Sequence, residues 1–205
     1  MQLSLNFESP ATTHTIAGCL IEQHTGFVSC AESLRWLAQL TEETPWTQSE
    51  IVIFGKRHPI PRLNAWYGEK SYTYSGNYMS CLAMTQLLES IRKRVQEETG
   101  CRFNSVLLNL YRDNNDTVGW HADDEPELNP KGPIASLSLG VSRRFVLREK
   151  LPKGHLTKPK KLDLTLESGD LIVMHPPTQL RTEHTIPRTT KMLGPRINLT
   201  FRTVL

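Results

Sequence analysis

From residue 100 onward the chain is divided by turns and not by helices. Segments 106–111, 135–141, 145–148, 162–166, 171–174 and 196–202 are rich in β-formers or alternate with period two. Asn114-Asn115-Asp116, Asn129-Pro130, Ser168-Gly169-Asp170 and Pro176-Pro177 separate them. Parallel pairing needs long crossovers, usually helical, and too few intervening helices are present. The strands are therefore expected to form an antiparallel sandwich or barrel. Helical patterning belongs to the first half. Ser29 and Glu32 have capping-box spacing ahead of Leu34, Leu37, Ala38 and Thr41. Met84, Leu87, Leu88, Ile91 and Val95 recur at helical spacing and predict an amphipathic helix ending near Gly100. Helices first and strands after make an α+β chain.

With 205 residues the chain is long enough for one domain with a real core. Lys plus Arg is 24 and Asp plus Glu is 21, a net charge of +3, which excludes a polycation and an acidic tail. No run reaches the roughly 18 apolar residues of a membrane span, and the first ten residues lack the pattern of a secretory signal. Cys19, Cys30, Cys81 and Cys101 form no CxxC pair and read as reduced thiols. The expected setting is a reducing cytoplasm, or a nucleus. Residues 150–161, KLPKGHLTKPKK, hold five lysines and two prolines. They form either a solvated hairpin loop or a basic flap that touches phosphates.

The chemistry rests on few residues. His121-Ala122-Asp123 sets an imidazole and a carboxylate on one side of an extended chain. With a distant histidine they make a 2-His-1-carboxylate triad, the open ligand set of non-haem Fe(II) oxygenases. By itself HxD is a weak signal, for which a surface loop with a local hydrogen bond is the favoured reading. The segment 196–202 adds weight. Arg196, Asn198, Thr200 and Arg202 share one face, and Ile197, Leu199 and Phe201 the other. Such a polar row either faces water or holds a dicarboxylate, for which the arginine fork is suited. Asn109 and Tyr111 share a face of an otherwise apolar strand and need partners when buried.

The segments PRLNAWYG (61–68), YTYSG (72–76), FNSVLLNLYRDNNDTVGWHADDEPEL (103–128), PIASLSLGVSRRFVLR (133–148) and PRINLTFR (195–202) together carry a resemblance. They resemble, in order, the AlkB family of Fe(II)- and 2-oxoglutarate-dependent dioxygenases. The similarity is strongest to the eukaryotic DNA-repair homologues and their bacterial relatives. It implies one dioxygenase domain over 1–205, with a double-stranded β-helix (jelly-roll) core at 100–205. A nucleotide-recognition lid is expected at 50–80 and an N-terminal extension, with helices packed on the core, at 1–49. It implies Fe(II) ligation by His121, Asp123 and His184, with His175 as the competing distal histidine. Asn109, Tyr111, Arg196, Asn198 and Arg202 are expected to bind 2-oxoglutarate, with the carboxylate held by each arginine left open.

The resemblance also implies a substrate: alkylated DNA, single- or double-stranded, with RNA as the alternative. No membrane is expected, and the expected state is a monomer. Oxidation would remove the methyl group of 1-methyladenine or 3-methylcytosine as formaldehyde, with succinate and CO2 as co-products. Tyr72 and Tyr74 would stack on the flipped base. Glu125 would face the exocyclic amino group of a cationic base. Phe54 would wedge into the base stack as part of a finger hairpin. Arg62, with Arg57, Arg143, Arg144 and the 150–161 lysines, would contact phosphates. Two other classes compete: a binding protein with a decayed iron site, and a 2-oxoglutarate hydroxylase of proteins or small molecules. The intact HxD and RxNxTxR sets oppose the first. The second has no need of Tyr72, Tyr74, Glu125 and the basic flap together.

Overall fold

A computed structural model describes residues 11–53, 55–74 and 77–205. The strands in chain order are β1 (Thr12–Ile16), β2 (Cys19–His24), β3 (Glu50–Ile53), β4 (Lys56–Pro59), β5 (Leu63–Gly68), β6 (Tyr72–Tyr74), β7 (Asn77–Met79), β8 (Ser105–Tyr111), β9 (Val118–His121), β10 (Ile134–Gly140), β11 (Arg143–Glu149), β12 (Lys161–Leu166), β13 (Leu171–Met174), β14 (Thr182–Ile186) and β15 (Arg196–Arg202). Three helices are described: α1 (Cys30–Glu43), α2 (Gln86–Thr99) and the single turn α3 (Thr178–Arg181).

Seven strands form the larger sheet, in the order β1-β2-β13-β10-β15-β8-β5, and four form the smaller, in the order β12-β11-β14-β9. All pairings between these named strands are antiparallel. Ile134, Ile172 and Met174 of the larger sheet pack with Phe145, Leu147, Leu164 and Ile186 of the smaller in one buried cluster. The two sheets therefore face each other across a core, as in a jelly roll.

The outer face of the larger sheet is covered by the helices. Leu40 of α1 and Leu88, Ile91 and Val95 of α2 pack on Val106, Leu108, Leu137, Leu139, Ile197, Leu199 and Phe201. The alternation in β15 thus sends its apolar residues to the helices and its polar residues into the barrel. Ser29 caps α1 by accepting from the Glu32 N–H, and Gly100 ends α2 in the left-handed conformation. Glu32 is held by Arg94 at 3.2 Å, which ties α1 to α2. Gly140 (φ +96°) lies opposite Arg196, where an added Cβ would come within 2.4 Å of the Pro195 carbonyl oxygen. Only glycine permits that approach.

Residues 12–24 depart from the expectation of helices alone in the N-terminal extension. They form the β1–β2 hairpin, and β2 pairs with β13 as part of the larger sheet. Within 50–80, β5 pairs with β8 and belongs to the sheet, while β3–β4 and β6–β7 are separate hairpins. No described helix is long and apolar enough to cross a membrane.

Candidate active site

His121 ends β9, Asp123 follows it, and His184 lies directly opposite His121 on β14. The two rings are 4.2 Å apart between centroids. One ligand atom from each of the three residues lies within 4.8 Å of the others, and among the described residues this is the one group so disposed. His175, the competing candidate, points elsewhere: its Nε2 is 3.1 Å from Glu22.

Pairing in β9 is irregular. His121 pairs with His184 and Val118 with Ile186, so Gly119 and Trp120 oppose Thr185 alone. This bulge turns both Val118 and His121 inward, which strict alternation forbids. His121 Nδ1 lies 2.9 Å from the Gly119 carbonyl oxygen. Donation to that oxygen leaves the Nε2 lone pair facing Asp123 Oδ1 at 3.8 Å.

Asp123 is fully enclosed. Its Oδ2 accepts from Arg202 Nη2 at 2.8 Å, and its backbone N–H donates to Gln179 Oε1 at 3.0 Å. Burial alone would raise the Asp123 carboxyl, but Arg202 and the two imidazoles hold it well below the ordinary carboxylate range. Burial and the neighbouring His121 push His184 down to about 3, against the pull of Asp123, so its ring is neutral. Asp123 Oδ1 and His184 Nδ1 are buried with no hydrogen-bond partner among the described residues. A carboxylate oxygen and imidazole nitrogens held this way fit a divalent cation.

The same cavity is lined by Asn109, Tyr111, Asn198, Thr200, Arg202, Ser136 and Arg62. Register explains their convergence. Asn109 pairs with Asn198, Tyr111 with Arg196, and Ser136 with Thr200. Asn198 Oδ1 accepts from Ser136 Oγ at 3.0 Å and from Arg196 Nη2 at 2.8 Å, and Asn198 Nδ2 donates to Thr200 Oγ1 at 2.7 Å. Arg196 stands behind the cavity wall, 1% exposed, with Tyr111 5.3 Å from its guanidinium. Its Nη2 also donates to Ser138 Oγ, while Nε and Nη1 are buried with no hydrogen-bond partner among the described residues. Burial pushes its pKa down to about 10, opposed by Tyr111 and reinforced by Arg143. A buried guanidinium in this condition fits a carboxylate ligand.

The substrate-side residues are placed less uniformly. Glu125 is half-buried and lines an adjoining cavity with Asp124, and the two cavities share Asp123, Met174 and Arg202. Tyr72 and Tyr74 lie on β6, which pairs with β7; their side chains, and all of Phe54, fall outside the described residues.

Two of the arginines expected at phosphates, Arg62 and Arg143, are instead buried. Arg62 is buried in the cavity, donating from Nε to Asn109 Oδ1 at 2.9 Å and from Nη1 to the Thr117 carbonyl at 3.3 Å. Arg143 is 3% exposed and donates to the carbonyls of Asp113, Asp116 and Pro187. Arg144 is exposed and paired with Asp163. Arg57 is exposed, 3.5 Å from Glu50.

Two supporting residues had no signal in the sequence. Gln179 of α3 holds the Asp123 backbone. Lys150, read as one of the flap lysines, donates to Asp124 at 3.0 Å and to the Gln179 carbonyl at 2.9 Å. Both tie the HxD loop to α3.

Comparison with known proteins agrees with this geometry. The sequence matches the profile of the 2OG-Fe(II) oxygenase superfamily over residues 21–202. The mouse protein alpha-ketoglutarate-dependent dioxygenase alkB homolog 3 is 40% identical over 185 residues, covering 88% of this chain and 65% of that protein. The chain thus spans just under two thirds of that relative. The mouse DNA oxidative demethylase ALKBH2 is 37% identical over 209 residues, covering 98% of this chain and 87% of that protein. The solved structure of OsALKBH1 superposes with a TM-score of 0.66 at 17% identity, over 95% of this chain and 100% of that one, which is likeness of fold. With a profile match across nearly the whole chain and a His-Asp-His cluster inside its barrel, the chain belongs to the 2OG-Fe(II) oxygenase superfamily, whose cofactors are Fe(II) and 2-oxoglutarate.

Proposed function

We propose that this protein oxidatively demethylates N-alkylated bases in DNA, with 1-methyladenine and 3-methylcytosine as substrates. One observation carries the reading: the three candidate metal ligands share a cavity with the buried polar row of β8 and β15. Likeness to the mouse DNA oxidative demethylase ALKBH2 supplies the substrate class.

Bound Fe(II), with 2-oxoglutarate and O2, supplies the oxidation of the N-methyl group to a hydroxymethyl group that leaves as formaldehyde. The chain's own residues bind and orient. His121, Asp123 and His184 hold the metal. Arg202 fixes the Asp123 carboxylate and would take one carboxylate of 2-oxoglutarate. Arg196, with Asn198 and Tyr111, would take the other carboxylate, its buried charge having no carboxylate partner among the described residues. Asn109 is held by Arg62 and steadies the chain of the cosubstrate between them. Glu125 adds negative charge near the cationic base, and Tyr72 and Tyr74 stack on it. Lys153, Lys158 and Lys160, exposed on the flap, meet the phosphates.

Purified protein with Fe(II), ascorbate and 2-oxoglutarate is tested on methylated single-stranded DNA, duplex DNA and RNA. Loss of the methyl group from DNA supports the proposal. Loss from RNA alone assigns RNA as the substrate, and loss from none refutes the demethylase reading.

A further inference from the structure

Behind the metal cluster, on the outer face of the smaller sheet, lies a second cluster, two members of which flank the two histidines in sequence. Lys161, Arg148 and Glu183 stand opposite one another across β12, β11 and β14. Trp120 of β9 completes the row. Arg148 donates from Nε and Nη2 to Glu183 Oε2, at 2.9 and 2.7 Å. Its guanidinium also lies over the Trp120 ring, 4.2 Å from the centroid, with Lys161 Nζ at 6.0 Å.

The sequence neighbours of these residues matter. Trp120 immediately precedes His121, and Glu183 immediately precedes His184. One cation therefore holds the flanks of both histidines from outside. The backbone alone holds β9 weakly: it is the end strand of its sheet, with two register pairs to β14 and the bulge between them. The Thr185 hydroxyl bonded to the Val118 carbonyl at 2.6 Å secures the far side of the bulge. Trp120, inside the bulge, is secured by Arg148. Loss of that contact would let the bulge relax and shift His121 relative to His184.

We propose that Arg148 is a positioning residue that sets the separation of the His121 and His184 imidazoles, and through it metal affinity, by clamping Trp120 to Glu183. This rests on the reading of His121, Asp123 and His184 as metal ligands. The clamp also gives Glu183 a role on the outer face. Lysine cannot replace Arg148 fully, because an ammonium cannot fork to a carboxylate and lie flat on an indole together.

The test is a Co(II) titration of the metal-free protein, without cosubstrate or DNA, followed by the d–d absorption band. Arg148→Ala and Trp120→Ala should each raise the Co(II) Kd by about tenfold or more, the scale of lost outer-shell support, and should alter the band. Arg148→Lys should fall between wild type and Arg148→Ala, and Trp120→Phe should restore most of the affinity. The double variant Arg148→Ala/Trp120→Ala should be no worse than either single one. An unchanged Kd and band in Arg148→Ala, even with a lowered melting temperature, makes the clamp merely structural and overturns the proposal. Should Arg148→Ala not fold, Glu183→Gln keeps the packing and should still weaken binding, and wild-type affinity there overturns the proposal equally. Failure of the wild-type protein to bind Co(II) overturns the ligand assignment and the clamp with it.

Discussion

Arg196→Met separates binding from stability, because the two should move in opposite directions. In the ligand-free protein Arg196 is an enclosed cation whose pKa falls from 12.5 to about 10. That shift corresponds to roughly 3 kcal/mol of destabilisation of the charged form. Folding carries this cost at every pH below the folded value, since the unfolded side chain is charged and solvated. Methionine removes it at similar length. The substitution also removes two hydrogen bonds, to Ser138 Oγ and Asn198 Oδ1, each worth about 1 kcal/mol. The remainder is about 1 kcal/mol in favour of the variant, or roughly 2–4 °C in Tm at this chain length. Binding should suffer. Losing a buried partner of a carboxylate costs about 2–5 kcal/mol, so 2-oxoglutarate affinity should fall by about 100-fold. The assay is thermal melting with Mn(II) in place of Fe(II), with and without 2-oxoglutarate. The variant should melt no lower than wild type alone and lose the upward shift that 2-oxoglutarate gives. A variant that melts several degrees lower yet keeps the full shift would refute the role assigned to Arg196.

Neighbouring arginines should behave unlike each other. Arg143→Ala orphans the carbonyls of Asp113, Asp116 and Pro187 and should cost about 2–4 kcal/mol in urea unfolding, whereas exposed Arg144→Ala should stay within about 0.5 kcal/mol. Asp116 is buried, which raises its carboxyl, but bonds from the Arg112 side chain and backbone and the charge of Arg143 bring it below its ordinary value. Its contribution is present above the unfolded pKa and lost as pH falls through the lower folded one. Asp116→Asn should therefore unfold more easily than wild type at neutral pH, and the gap in urea midpoint should close below about pH 4. Gln179→Ala frees the Asp123 loop and should reduce turnover about tenfold with little change in Tm; wild-type turnover would show that the loop holds itself.

Much of the site was legible because strand alternation is a local signal. In 196–202 the polar and apolar faces are written in order, and the barrel keeps that division. Asn109 and Tyr111 stand out for the same reason. The resemblance favours His184 over His175, and pairing supplies the physical reason: His184 lies opposite His121, while His175 faces Glu22. Adjacent arginines show a similar limit. Arg143 and Arg144 read alike, but consecutive strand residues face opposite ways, and register alone decides which one is buried. The β1–β2 hairpin escaped notice because Thr12–Ile16 is largely exposed and lacks an apolar alternation. The Gly119–Trp120 bulge and the Gln179 contact left no trace in spacing, since both arise from segments far apart in the chain.

The demethylase chemistry is tested most directly by its stoichiometry. A 1-methyladenine oligodeoxynucleotide is incubated with the Fe(II)-loaded protein and 2-oxoglutarate, and repaired adenine, formaldehyde and succinate are quantified together. Equal amounts of all three are expected, and none with His121→Ala. Succinate formed without loss of the methyl group, or methyl loss that survives His121→Ala, would contradict it.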